Sequence, residues 1–296
     1  MPTKTKPKYT RIKTTLKTHG GQNYNAQWIA GVVGRVPRTT YVEPYAGGLS
    51  VLFALDPEGV SEVVNDLDGE LTNFWAVLGG PEAVFLDFLR RAQLTPFSEP
   101  AWERAVAASN EYRRLLAEKG TFPAPHVGAA VSYFVRCRQC LAGRTDTGEA
   151  FAGLTKSRLR GGMNEQVSAL LGAVDRLPEV RARLIRVLVL NRDAPAVCLK
   201  YDVPGAVFYL DPPWLAETRA APDVYRFEYT RAQHVALLDT LGGLKNAHFA
   251  LSGLRSDLYD DVARLHHWTR HEKQVPNAAA GGNAKRKLVH CLWTNF

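Results

Sequence analysis

The stretch EPYAGGLSVLFAL, Glu43 to Leu55, follows the pair Tyr41-Val42 and precedes SEVVNDLDGELTNFWAVL, Ser61 to Leu78. It reads as a short strand stopping at Glu43-Pro44, a glycine turn at Gly47-Gly48, and then a helix. A second strand, Glu62 to Val64, ends at Asn65-Asp66 and leads into another helix. A proline cannot donate to a ladder, and glycine lets the backbone turn close to a ligand. With a carboxylate at the tip of its second strand, this is a β-α-β unit of the kind that opens a doubly wound sheet.

Outward from this unit, further strands are legible at LIRVLVLN (Leu184 to Asn191), GAVFYL (Gly205 to Leu210), AHFALSG (Ala247 to Gly253) and KLVHCLWTNF (Lys287 to Phe296). Helical stretches such as RAQHVALLDTL (Arg231 to Leu241) separate them, so an alternating α/β sheet is the expected fold class. Between Gly80 and Pro178 the pattern turns mostly helical around a polar, glycine-bearing loop. Residues 81–178 therefore read as an insert into a portion formed by residues 16–80 and 179–296, behind a basic tail over residues 1–15.

At 296 residues and 46% hydrophobic, the chain can bury a sizeable core. No apolar run approaches the roughly 18 residues of a membrane span, and the N-terminus lacks the apolar segment of a secretory signal, so no membrane partner and a cytoplasmic location are expected. Four cysteines fit reduced thiols better than a disulfide framework. The net charge of +8 is concentrated, because Met1 to Val42 holds eight Lys and Arg and no acid, while the remaining 29 basic and 29 acidic residues cancel. Such a block suits a polyanion, whose counterions it displaces; a solvated tail is the bland alternative. The loop within the insert adds Arg136, Arg138, Arg144, Lys156, Arg158 and Arg160 against Asp146 and Glu149, a second basic excess expected to meet nucleic acid.

FYLDPPWL, Phe208 to Leu215, closes a buried strand with an aspartate, two prolines and a tryptophan. The prolines stiffen the backbone, so Asp211 and the Pro212 carbonyl offer two acceptors in a fixed relation, beside the flat face of Trp214. That suits a planar ring with an exocyclic amine, although a turn with a packed tryptophan reads equally well from these letters alone. The glycine turn and Asp66 suit the ribose of an adenosine-containing cofactor. Glu43 beside the turn disfavours a pyrophosphate and favours S-adenosylmethionine, whose sulfonium is a cation.

EPYAGG, then NDLD, then LDPPW after an insert resembles the Dam-type DNA N6-adenine methyltransferases, particularly the phage-like adenine methylases, over nearly the whole chain. LKTHGGQNY (Leu16 to Tyr24) resembles their N-terminal cofactor motif, with Thr18 and Gln22 where the family has Trp and Lys, so contacts there could be rebuilt through His19 or Tyr24. The resemblance implies a Rossmann-like sheet with a helical target-recognition insert, S-adenosylmethionine as cofactor and double-stranded DNA as partner, with association with the nucleoid. It implies a cofactor site of Thr18, Gly21, Gln22, Tyr45, Ala46, Gly47, Gly48, Asp66, Leu67 and Asp211. The catalytic set it implies is Asp211, Pro212, Pro213 and Trp214, with the target adenine flipped from the duplex to stack on Trp214. A tryptophan at the fourth letter also occurs in RNA adenine methyltransferases. N4-cytosine enzymes usually carry Ser in place of Asp211, and a non-catalytic nucleic-acid-binding relic of the fold is the further alternative.

Cys137-x-x-Cys140 lacks a second Cys/His pair at structural zinc spacing, so no metal is expected. Asp193 suits either the cofactor's adenine or a helix cap before Pro195. His266, His267 and His271 read as surface or packing residues, and Phe74-Trp75 as core.

Overall fold

The computed structural model describes residues 9–18, 21–120, 125–143, 145, 149–156, 158–219, 225–276 and 287–296. The strands are β1 (Thr40–Glu43), β2 (Ser61–Asn65), β3 (Leu159–Arg160), β4 (Met163–Asn164), β5 (Val187–Leu190), β6 (Ala206–Leu210), β7 (His248–Leu254), β8 (Thr269–Pro276) and β9 (Lys287–Thr294). The helices are α1 (Ala26–Val33), α2 (Gly69–Gly79), α3 (Glu82–Leu94), α4 (Glu99–Lys119), α5 (Val127–Gln139), α6 (Glu165–Asp175), α7 (Leu177–Leu184), α8 (Ala194–Lys200), α9 (Arg231–Gly242) and α10 (Asp257–Leu265).

Seven strands form one sheet in the order β5-β2-β1-β6-β7-β9-β8. The first five run parallel, and β9 runs antiparallel between β7 and β8. This is a Rossmann-like α/β sheet, in which the order reverses between β1 and β6 and opens a crevice at the strands' carboxyl ends.

Alternate residues feed two cores, as the two-residue period of a strand requires. Tyr41, Val64, Val207, Ala250 and Leu292 face one layer with α1, α2 and α7. Val42, Val63, Phe208, Leu251 and Trp293 face the other, with α9 and α10.

The helix expected directly after the glycine turn is a single 3-10 turn, Leu52–Ala54. Pro57 and Gly59, the latter at φ +73°, leave no room for a longer one. The strand β8 is not legible as an apolar run, since TRHEKQVP is a polar edge strand. Within the stretch expected as a basic tail, residues 12–15 belong to the fold. Ile12 and Leu16 are core residues, Thr14 and Thr15 are buried, and the Ile12 amide donates to the Phe53 carbonyl. Lys4, Lys6 and Lys8 lie outside the described residues. Phe85, Phe88, Tyr133 and Phe134, from within residues 81–178, share one core with Phe74 and Trp75, so among the described residues these helices pack on the sheet layer as part of its core. Among the described residues, no helix is long and apolar enough to cross a membrane.

Candidate active site

The glycine turn is locked from beneath. Ala46 N–H donates to the Asn65 carbonyl at the end of β2, and the Trp75 indole N–H donates to the Gly47 carbonyl at 3.1 Å. Gly47 N–H reaches Asp66 Oδ2 at 3.1 Å, and Asp68 N–H reaches Oδ1 at 3.0 Å. Gly47 sits at φ +46°, where glycine is at ease, and a Cβ placed on it would meet nothing within 4 Å. The N-terminal segment closes the other side, since a Cβ on Gly48 would come within 3.4 Å of Thr18 Oγ1. Burial pushes the Asp66 carboxyl up to about 6, against the pull of the backbone amides that it accepts.

Across the crevice, β6 delivers the Asp-Pro-Pro-Trp turn. Asp211 Oδ1 accepts from the Trp214 indole N–H at 3.2 Å and from the Gln22 amide at 3.3 Å. Burial raises the Asp211 carboxyl, and only uncharged donors oppose it. Gln22 is itself buried. The acid therefore meets a neutral amide at this position.

Every described residue expected at the cofactor or catalytic site lines one cleft of about 240 Å³. Thr18, Gly21 and Gln22 form one side, Tyr45 to Gly48 the turn, Asp66 and Leu67 the tip of β2, and Asp211 to Trp214 the far wall. His19 lies outside the described residues. Tyr24 is 86% exposed and does not line the cleft.

Other wall residues have partners that the sequence did not announce. Glu43 is buried beneath the turn, accepts from the Tyr41 hydroxyl at 2.7 Å, and is pushed by burial up to about 8. Tyr225, Arg226, Phe227 and Tyr229 line the cleft as well. Arg226 pairs there with Asp68 at 3.1 Å, and the Tyr45 hydroxyl donates to Tyr229 at 2.9 Å. Nothing in spacing announces these partners, because each comes from a loop far along the chain. Asp193 does both things expected of it in part, capping α8 through the Ala196 N–H at 3.2 Å and lining the cleft.

Two of the arginines expected on nucleic acid are taken up by the fold. Arg136 is 1% exposed and held by Glu70, Glu149 and the Thr145 carbonyl; Arg138 is buried and donates to the Ala169 carbonyl. A helix that packs through its whole width buries its basic residues with it, which a count of charges does not reveal. Lys156, Arg158 and Arg160 remain exposed at the small β3–β4 hairpin, with Arg158 3.4 Å from Glu165. Arg144 lies outside the described residues. Cys137 and Cys140 are both buried, and no three His, Cys, Asp or Glu gather as metal ligands among the described residues.

No family model and no curated protein sequence matches this chain. Among solved structures it is similar to a protein from Pyrococcus horikoshii described as a candidate RNA methyltransferase, with TM-score 0.36, 8% identity, and coverage of 97% of this chain and 92% of that one. It is also similar to a SAM-dependent methyltransferase from Agrobacterium tumefaciens, with TM-score 0.37, 10% identity, and coverage of 98% and 72%. At scores this low the likenesses carry no argument about activity.

Proposed function

We propose that this chain transfers a methyl group from S-adenosylmethionine to the N6 amine of adenine in double-stranded DNA. The observation that carries this is one cleft with the glycine turn and Asp66 on one side and Asp211, Pro212, Pro213 and Trp214 on the other. The residues fit the cofactor. The Asp66 carboxylate accepts backbone N–H groups from Gly47 and Asp68 on its two oxygens, which fixes it at the tip of β2 where a ribose hydroxyl can reach it, and Gly47 leaves open space above the turn. Buried carboxyls at Glu43 and Asp211 favour a cation nearby.

When bound, the cofactor supplies an electrophilic methyl group. The protein's part is to hold the amine. Asp211 and the Pro212 carbonyl accept its two hydrogens, which turns the nitrogen lone pair out of ring conjugation and toward the methyl carbon. A carboxyl raised by burial is suited to take the proton that the methylated amine sheds. Trp214 offers the flipped base a stacking face while its indole N–H holds Asp211 from the side. The helical stretch 81–178, with Lys156, Arg158 and Arg160 exposed, is the portion we assign to target recognition.

The test is transfer of labelled methyl to duplex DNA and to RNA of matched sequence, with the modified base identified by mass spectrometry. N6-methyladenine from DNA is expected. Asp211→Ala should lose it while still binding the duplex as before. Label in cytosine, label confined to RNA, or activity of Asp211→Ala within about tenfold of wild type, roughly 1.4 kcal/mol of barrier, would each overturn the assignment.

A further inference from the structure

The Asp211 to Trp214 turn rests on a line of buried polar side chains with no assigned task. β6 and β7 run in register as far as Leu210 beside Leu251, so the next pair sets Asp211 beside Ser252. On the other flank of β7, Ser252 pairs with Leu292 and Leu254 with His290, and the two-residue period brings His290 to Ser252's face. His290 Nε2 lies 2.8 Å from Ser252 Oγ, and its Nδ1 lies 2.7 Å from Asn25 Nδ2. All three are buried. Asn25 occupies the N-cap of α1, yet its side chain makes no cap bond; its amide is given to His290. Trp28 and Trp214 flank the imidazole, with ring centres 5.7 and 5.4 Å away.

Donor and acceptor chemistry gives this line a direction. The β6–β7 register sets Ser252 beside Asp211, and the hydroxyls of Ser252 and Tyr209 both hold the Asp211 carboxyl down against burial; an ionised carboxylate only accepts, so the Ser252 proton is turned toward Asp211. The Ser252 oxygen must then accept from His290 Nε2–H, and His290 Nδ1 accepts from the Asn25 amide. That assignment needs a neutral imidazole. Burial, aided by the Lys273 charge on the neighbouring strand, holds the ring neutral by pushing its pKa down to about 4. Reversing the line would put the serine lone pairs against the carboxylate.

We propose that His290 is a positioning residue for the transfer: through Ser252 it fixes the orientation of the Asp211 carboxylate, and through its ring it seats Trp214. This rests on the function proposed above, but part of its test does not. In protein labelled with ¹⁵N-histidine and free of cofactor, long-range ¹H–¹⁵N correlation should find His290 as the Nε2–H tautomer from pH 6 to 8. The Trp214 indole N–H resonance should move in Ser252→Ala and in His290→Leu. An Nδ1–H or charged imidazole, or an unmoved indole signal, would overturn the proposal whether or not the protein methylates anything.

With activity in hand, His290→Leu should lower kcat about tenfold or more with the cofactor Kd within about twofold, while His290→Gln, whose amide replaces the Nε2–H donor, should stay within about threefold. The double variant Ser252→Ala/His290→Leu should be no slower than Ser252→Ala alone, since one acts through the other. Additive losses, or an unchanged kcat in His290→Leu, would refute the relay. Should His290→Leu fail to fold, Ser252→Ala and His290→Gln still decide between the outcomes. Absence of any methyl transfer by the wild type would count against the proposed function alone.

Discussion

Glu43 is 1% exposed, and its carboxyl is raised from 4.5 to about 8 by burial, with the nearby Asp211 and Glu62 charges adding to the shift. Between those values the folded protein keeps a proton on Glu43 that the unfolded chain has released. The native state then binds more protons, so this group's contribution to stability falls as pH rises from about 4.5 to about 8. Each pH unit in that window costs about 1.4 kcal/mol, so going from about pH 5 to about pH 7.5 costs about 3 kcal/mol. Replacing the acid with an amide removes the titration. Urea unfolding of wild type and Glu43→Gln should therefore show a stability difference that moves in favour of the variant by about 3 kcal/mol across this range. Asp66 and Asp211 are raised in both proteins and largely drop out of the comparison. The absolute difference at any one pH also contains the altered bond to Tyr41, so the slope is the quantity to read. A difference independent of pH would mean that Glu43 is ionised in the native protein, and would remove its neutral carboxyl from the cleft wall.

A sulfonium placed near Glu43 should draw its proton off, so calorimetry at about pH 7.5 in buffers of differing ionisation enthalpy should record proton release with S-adenosylmethionine, and less with its thioether product; equal release from both would contradict the placement. Trp214→Ala should lose more methyl transfer than Trp214→Phe, base stacking being worth about 1–3 kcal/mol, and Trp214→Phe should still fall below wild type because it lacks the N–H that holds Asp211; equal activity in both variants would leave Trp214 without a stacking role. Replacing Lys156, Arg158 and Arg160 with alanine should flatten the slope of log DNA affinity against log salt by up to about 2.7 with melting temperature unchanged. Arg136→Met should instead lower stability by about 3–5 kcal/mol, because it takes from Glu149 the guanidinium it pairs with and leaves buried Glu70 to Arg113.

Most of the sheet was legible because parallel strands buried on both faces read as short apolar runs, as in GAVFYL and AHFALSG. Strand β8 escaped because an edge strand carries polar residues along its length. The glycine turn, Asp66 and the Asp-Pro-Pro-Trp turn could be picked out because they need special backbone or chemistry within a few consecutive residues. Gln22 beside Asp211, Arg226 against Asp68 and the fate of Arg136 depend on meetings between residues far apart in the chain, and residue types alone carry no trace of them.

The place of β9, between β7 and β8 although it follows both in the chain, also sets an order of assembly. β8 borders only β9, so it cannot join the sheet until β9 has been made. Until then the growing sheet ends at β7, with its outer edge unpaired and Ser252 lacking its histidine. A nascent chain emerging from the ribosome can thus form the β5-β2-β1-β6-β7 sheet early, while the β8–β9 pair docks last as a unit. Because that pair carries His290, the floor under Asp211 and Trp214 is finished in the same event that covers the sheet's open edge. Completion of this cleft wall and protection of the chain from edge-to-edge aggregation are therefore one step in its biogenesis.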